Sequence, residues 1–154
     1  MSAVINGKQH ITDGITIVQT PTVTAGAYSA NDAVGGLLTF AGAGPGGVIK
    51  DVVFVDDAGQ DTTLELWLFS ATFTAIADNA AWAPAEASLH NLVAIISTTN
   101  GAWCAAGTPS ANVVEVSQRY DCPGGSLYGQ LVTRGTPTFA ATDDVTVAIG
   151  LLKD

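Results

Sequence analysis

Long stretches of this chain alternate apolar and polar residues with a period of two, and that pattern restricts it to a fold built from sheets. The clearest case is Asp144-Val-Thr-Val-Ala-Ile-Gly-Leu151. Val145, Val147, Ile149 and Leu151 share one face, and Asp144, Thr146, Ala148 and Gly150 share the other, as in a half-buried strand. Thr63 to Phe69 places Leu64, Leu66 and Leu68 on one face and Glu65, Trp67 and Phe69 on the other. Both of its sides are therefore expected to be partly covered. Val114 to Tyr120, Leu127 to Arg134 and Val48 to Val55 are further β-rich runs, and Ile15 to Val23 is a run whose Pro21 suits an edge or a bend.

Turn-forming residues separate these runs at Gly35-Gly36, Gly42 to Gly47, Asp57-Ala-Gly59, Asn100-Gly101, Pro123-Gly-Gly125 and Gly135-Thr-Pro137. About eight short strands at this spacing predict an all-β sandwich or barrel. One short helix is expected between Asp78 and Leu92, with Asp78 or Asn79 as its cap and Pro84 and Glu86 in its first turn. A jelly-roll-like sandwich with one small helix in a connection fits the whole pattern. Residues 1–14 hold no clear strand and read as an N-terminal arm ahead of one β-sandwich domain over 15–154. The length of 154 residues fits a single domain, and neither a repeat nor a linker divides it.

Charge narrows the partners. Only 12% of residues are charged, against roughly a quarter in ordinary globular domains. The surface must therefore be covered largely by Thr, Ser, Ala, Gly and Asn, as in proteins that partners cover. The formal net charge is -9, and the five basic residues Lys8, Lys50, Arg119, Arg134 and Lys153 are scattered. Nucleic acid and anionic membrane are not expected as partners, because both need clustered cations. No cationic start followed by an apolar run marks a signal peptide, and no apolar run reaches the roughly 20 residues of a span, so folding in a cytoplasm is expected.

Each apparent chemical site has a plainer explanation. Gly42, Gly44 and Gly47 match G-x-G-x-x-G, but the strand-like run Val48 to Val55 follows where a dinucleotide loop needs a helix. Asp56, Asp57 and Asp61 lack the alternate spacing and closing Glu of a calcium loop and read as a solvated turn. His10 and His90 are the only histidines, and neither has a neighbour at metal-ligand spacing; His90 is expected to pack at the helix end. Cys104 and Cys122 form no C-x-x-C and are either free thiols or one disulfide, free thiols being the default in a reducing cytoplasm. Trp82 and Trp103 sit in expected loops and could form a glycan platform, although core or interface packing explains them as well. No pair among the acids is singled out for glycoside hydrolysis. No enzyme, cofactor or metal is expected.

The runs PTVTAGAYSANDAVGGLLTF (Pro21 to Phe40), SLYGQLVTRGTPTF (Ser126 to Phe139) and DDVTVAIGLLKD (Asp143 to Asp154) resemble the decoration, or cement, proteins of tailed-bacteriophage capsids. The resemblance covers most of the chain from about Pro21. It implies a jelly-roll-like β-sandwich, assembly as a dimer or trimer, and a place on the outside of the virion. Such a protein is made in the bacterial host cytoplasm and bridges neighbouring major capsid proteins. Val4, Ile5, Ile11 and Ile15 are the expected apolar contacts of the arm. A tail or head-fibre module and a carbohydrate-binding β-sandwich module are the alternatives.

Overall fold

A computed structural model describes the backbone of residues 2–5, 8–11 and 14–154, and the side chains of residues 14–154. Two antiparallel sheets face one another. One contains β3 (Gly14–Gln19), β5 (Gly46–Asp56), β8 (Trp103–Ala105), β9 (Ser110–Asp121) and β11 (Val145–Lys153) in the order β3-β11-β5-β9-β8. The other contains β4 (Ala33–Ala41), β6 (Leu64–Phe69), β7 (Leu92–Ser97) and β10 (Ser126–Thr133) in the order β4-β10-β6-β7. The chain crosses between sheets at nearly every connection. Setting aside the short β8, the two orders are those of an eight-stranded jelly roll.

The period of two is realised as expected. Val145, Val147, Ile149 and Leu151 of β11 are buried and meet Leu64, Leu66 and Leu68 of β6 in one core with Phe40 and Phe54. Each such side chain contributes about 1.5–3 kcal/mol on burial. The glycine-rich stretch joins β4 to β5, two strands, as its sequence context implies.

Several local expectations are corrected. Gly35-Gly36 is no turn between strands but lies inside β4, where Gly35 has φ +71° and the pairing with β10 shifts register. Gly adopts that φ without strain, and a Cβ at residue 35 would overlap Pro21. The helix is a single turn, α1 (Glu86–Leu89), with Ala85 before it and no side-chain cap. Asp78 and Asn79 lie well ahead of it and hold other contacts. The apolar run around Leu92 to Ile96 becomes β7. Residues 1–14 do hold strands: β1 (Ser2–Ile5) pairs antiparallel with β2 (Lys8–Ile11), with Ile5 opposite Lys8. The two residues between them, Asn6-Gly7, are the dipeptide that most favours a two-residue hairpin connection. This pair joins neither larger sheet among the described residues.

Candidate interaction surface

The two outer faces of the sandwich are treated differently by the chain. On the four-stranded sheet, Phe69 stands opposite Tyr128 and Gln130 opposite Trp67, and Val132 stands opposite Glu65, which places these six on the outside. Yet Phe69, Gln130 and Val132 are all fully buried. A strap over residues 70–91, between β6 and β7, covers them. Phe73 lies 4.4 Å from Phe69 by ring centroids, and Trp82 meets Trp67 edge-on at 5.4 Å.

Polar contacts fix the strap in place. Gln130 donates through Nε2 to the carbonyls of Gly35 (2.8 Å) and Ile76 (2.6 Å), and its Oε1 accepts from Ile76 N (3.0 Å). Asp78 accepts from Thr24 Oγ1 (2.6 Å), Tyr28 Oη (2.7 Å) and Gly35 N (2.5 Å). Burial, and then the hydrogen bond to Asp78, push the Tyr28 phenol far above its ordinary range. Arg134 donates to Glu65 Oε2 (2.8 Å) and to Asn31 Oδ1 (2.7 Å). Burial opposes the ionisation of Glu65. The hydrogen bonds from Arg134 and Trp67, with the Arg134 charge, outweigh burial and hold the carboxyl below its usual value.

Among the described residues no strap covers the five-stranded sheet. The register places Val18, Ala148, Val53 and Val113 side by side across β3, β11, β5 and β9. Val18 and Val113 are each 56% exposed, which large apolar side chains inside strands rarely are. The next row reads Thr20, Thr146, Val55 and Ala111, and Cys104 on β8 continues it beside Ala111. These two rows carry no charge. A third row, Thr16, Gly150, Asp51 and Glu115, brings acids to one margin, where a shallow groove of about 190 Å³ lies beside Lys50. The Asp51 carboxylate lies over Gly150, so a Cβ at residue 150 would overlap it.

Other residues singled out by sequence are dispersed. The side chains of Val4, Ile5 and Ile11 lie outside the described residues. Ile15 is half-buried and packs against the core. Trp103 donates its Nε1 to the Thr62 carbonyl (3.1 Å) and packs on the core, whereas Trp82 pairs with Trp67, so Trp82 and Trp103 share no platform. His90 ends α1 and is exposed at the rim of an open groove of about 340 Å³ with Arg119 and Asp121. The side chain of His10 lies outside the described residues. The aspartate segment is not simply a solvated turn: Asp57 and Asp61 are exposed, but Asp56 is fully buried. Among the described residues no three His, Cys, Asp or Glu side chains gather as a metal cluster, and no helix is long and apolar enough to cross a membrane.

The cysteines are free and unlike. Cys104 is exposed at the edge of the uncharged face. Cys122 is buried, with Sγ donating to the Gly44 carbonyl at 2.7 Å, and burial followed by the Asp121 charge raises its thiol pKa. A thiol reagent applied to the native protein at pH 8 is expected to modify Cys104 at once and Cys122 only on unfolding. Equal rates at the two positions would contradict this placement.

No protein-family model matches the chain, and no curated protein matches it in sequence. The candidate surface that motif reading does not single out is the outer face of the five-stranded sheet. It was available in the alternation of β11 and β5, whose second faces carry Ala148, Val53 and Val55 where solvent-facing strands usually hold charged or polar residues.

Proposed function

We propose that this chain is a virion structural protein that decorates the outer surface of a tailed-phage capsid and stabilises it by bridging major capsid proteins. The observation that carries the reading is the outer face of the five-stranded sheet, where two adjacent rows carry no charge and no strap among the described residues covers them. The same chain covers the equivalent face of its other sheet with a strap of some twenty residues, so an open apolar face is a choice of the sequence. Large exposed apolar rows mark interaction sites in soluble proteins. The jelly roll is also an architecture common among capsid proteins.

Size favours a lattice over a single partner. Four strands about 4.8 Å apart and two uncharged rows about 7 Å apart give a patch of roughly 20 Å by 14 Å, or about 280 Å². A stable two-body interface covers about 800 Å² on each partner. A patch about a third of that size gains strength when many copies bind one lattice together. The net charge of -9 keeps unbound copies apart in solution.

The test is binding of purified protein to capsids assembled without it. Wild-type protein should bind at high copy number and raise the temperature at which the capsid opens. The Val53→Asp, Val113→Asp double variant should fold normally and lose binding by roughly tenfold or more, since each aspartate places a charge in the covered face. Failure of the wild type to bind would sink the reading. Wild-type binding by the double variant would remove the sheet face from it. A few copies at one vertex or tail would instead indicate a tail or fibre module.

A further inference from the structure

We propose that the outer face of the five-stranded sheet selects a partner surface of one chemistry and one direction: an apolar strip flanked by a basic side chain that seats over Asp51 and Glu115. This rests on the reading of that face as an interaction surface and names what the surface selects. Three observations carry it.

Two like charges face each other without compensation. Asp51 of β5 and Glu115 of β9 are direct cross-strand partners, and like charges in that position destabilise a sheet. Among the described residues the ion pairs are Arg119–Asp121 and Arg134–Glu65, so neither Asp51 nor Glu115 has one. Lys50 lines the groove beside Asp51, which sets one cation against two anions. Asp51 also turns away from Glu115. Its carboxylate lies over Gly150 of β11, on the side of β5 opposite β9, so near that a Cβ at residue 150 would overlap it. The absent side chain leaves the groove of about 190 Å³ open between Thr16, Lys50, Asp51 and Leu152. A side chain reaching down from a partner meets the Asp51 carboxylate there.

The charge also lies at one margin of the apolar rows. Asp51 and Glu115 stand two residues along their strands from Val53 and Val113, a step of about 7 Å. On the other side of the valines the row of Thr146, Val55 and Ala111 is uncharged. A partner whose apolar strip covers the valines therefore reaches both carboxylates with one cation. Turned end for end, it sets that cation on the uncharged row and leaves the carboxylates unpaired. Charge complementarity thus fixes direction as well as position. A second copy of this chain is the disfavoured occupant. Each copy carries a net charge of -9, and stacking two apolar faces puts the acid rows either against each other or at opposite margins, unpaired in both cases.

Hexylammonium, an alkyl chain ended by one cation, is the probe, titrated into the full chain and followed by NMR. It should shift the amides of Val53, Val113 and Gly150 saturably, and hexanoate, its anionic counterpart, should not. An Asp51→Asn, Glu115→Gln double variant should bind hexylammonium roughly fivefold more weakly. An Asp57→Asn, Asp143→Asn variant, which removes two exposed acids elsewhere, should bind as wild type does. Relief of the cross-strand repulsion should also raise the melting temperature of the Asp51→Asn, Glu115→Gln protein by about 1–3 °C. On capsids, wild-type binding should weaken as salt rises, and binding by that variant should depend on salt less. Equal hexylammonium binding by wild type and the Asp51→Asn, Glu115→Gln variant would overturn the proposal even if capsids bind the protein. A lower melting temperature of that variant would overturn it too, since the carboxylates would then serve the sheet itself. A protein that takes hexylammonium on this face and ignores capsids would sink the capsid reading alone.

Discussion

Replacing Gln130 with leucine is expected to lower the stability of this protein by about 4 kcal/mol, although leucine fills a similar volume. Gln130 is fully buried and makes three hydrogen bonds to the backbone of Gly35 and Ile76. The substitution leaves two carbonyls and one N–H without partners in the interior, and each orphaned group costs about 1–3 kcal/mol. Glutamate should fare no better, because it keeps an acceptor but cannot donate to either carbonyl. Urea unfolding measures the effect as a lower midpoint at unchanged slope. The loss should begin at the strap: limited proteolysis should cut between residues 70 and 91 of Gln130→Leu before it cuts wild type. A loss below about 1 kcal/mol would mean that the strap is held by Phe73 and Trp82 packing rather than through Gln130.

That single residue also shows where sequence reading runs out. The run Leu127 to Arg134 announces a strand through its composition, and the strand is there. Nothing in the run says that its second face is covered, because the cover comes from residues more than forty positions away. The same applies to Asp78. Its position ahead of an apolar stretch suits a helix cap, and the local rule was outweighed by contacts with Thr24, Tyr28 and Gly35, which only the tertiary fold supplies. Alternation within one strand was legible for β11 and β6 because each strand carries its own core face. β4 was not legible, since its glycines look like turn residues and its shape depends on a register shift against β10. For the interaction surface, the individual valines were visible, but their alignment across four strands required the register. The N-terminal strands differ again: Asn6-Gly7 is a local hairpin signal, but the four-residue runs on either side of it are too short to announce strands by alternation.

Asp56 carries the second large effect. Its carboxylate is fully buried at the end of β5 and accepts from Ala58 N (3.0 Å), Gln60 N (2.8 Å) and Asp61 N (3.1 Å). It therefore closes the turn into β6, where Gly59 has φ +60° and lies so near the Thr108 carbonyl that a Cβ there would overlap it. Asp56→Ala should cost about 3 kcal/mol by stripping three donors of their partner. Asparagine should recover only part of that, because its amide group must face one N–H. The dependence on pH has a definite sign. Burial, the largest influence, raises the Asp56 pKa above the ordinary carboxylate value despite the three N–H donors and with a smaller push from the Asp61 charge. The folded protein thus holds this proton more tightly than the unfolded chain does. Its contribution to stability is full below the unfolded pKa and declines as pH rises through the folded one. The deficit of Asp56→Ala relative to wild type should accordingly be greater near pH 4 than at pH 7, as read from thermal unfolding of both proteins at the two values. A deficit greater at pH 7 would show that the three backbone donors, and not burial, govern the ionisation of this carboxyl.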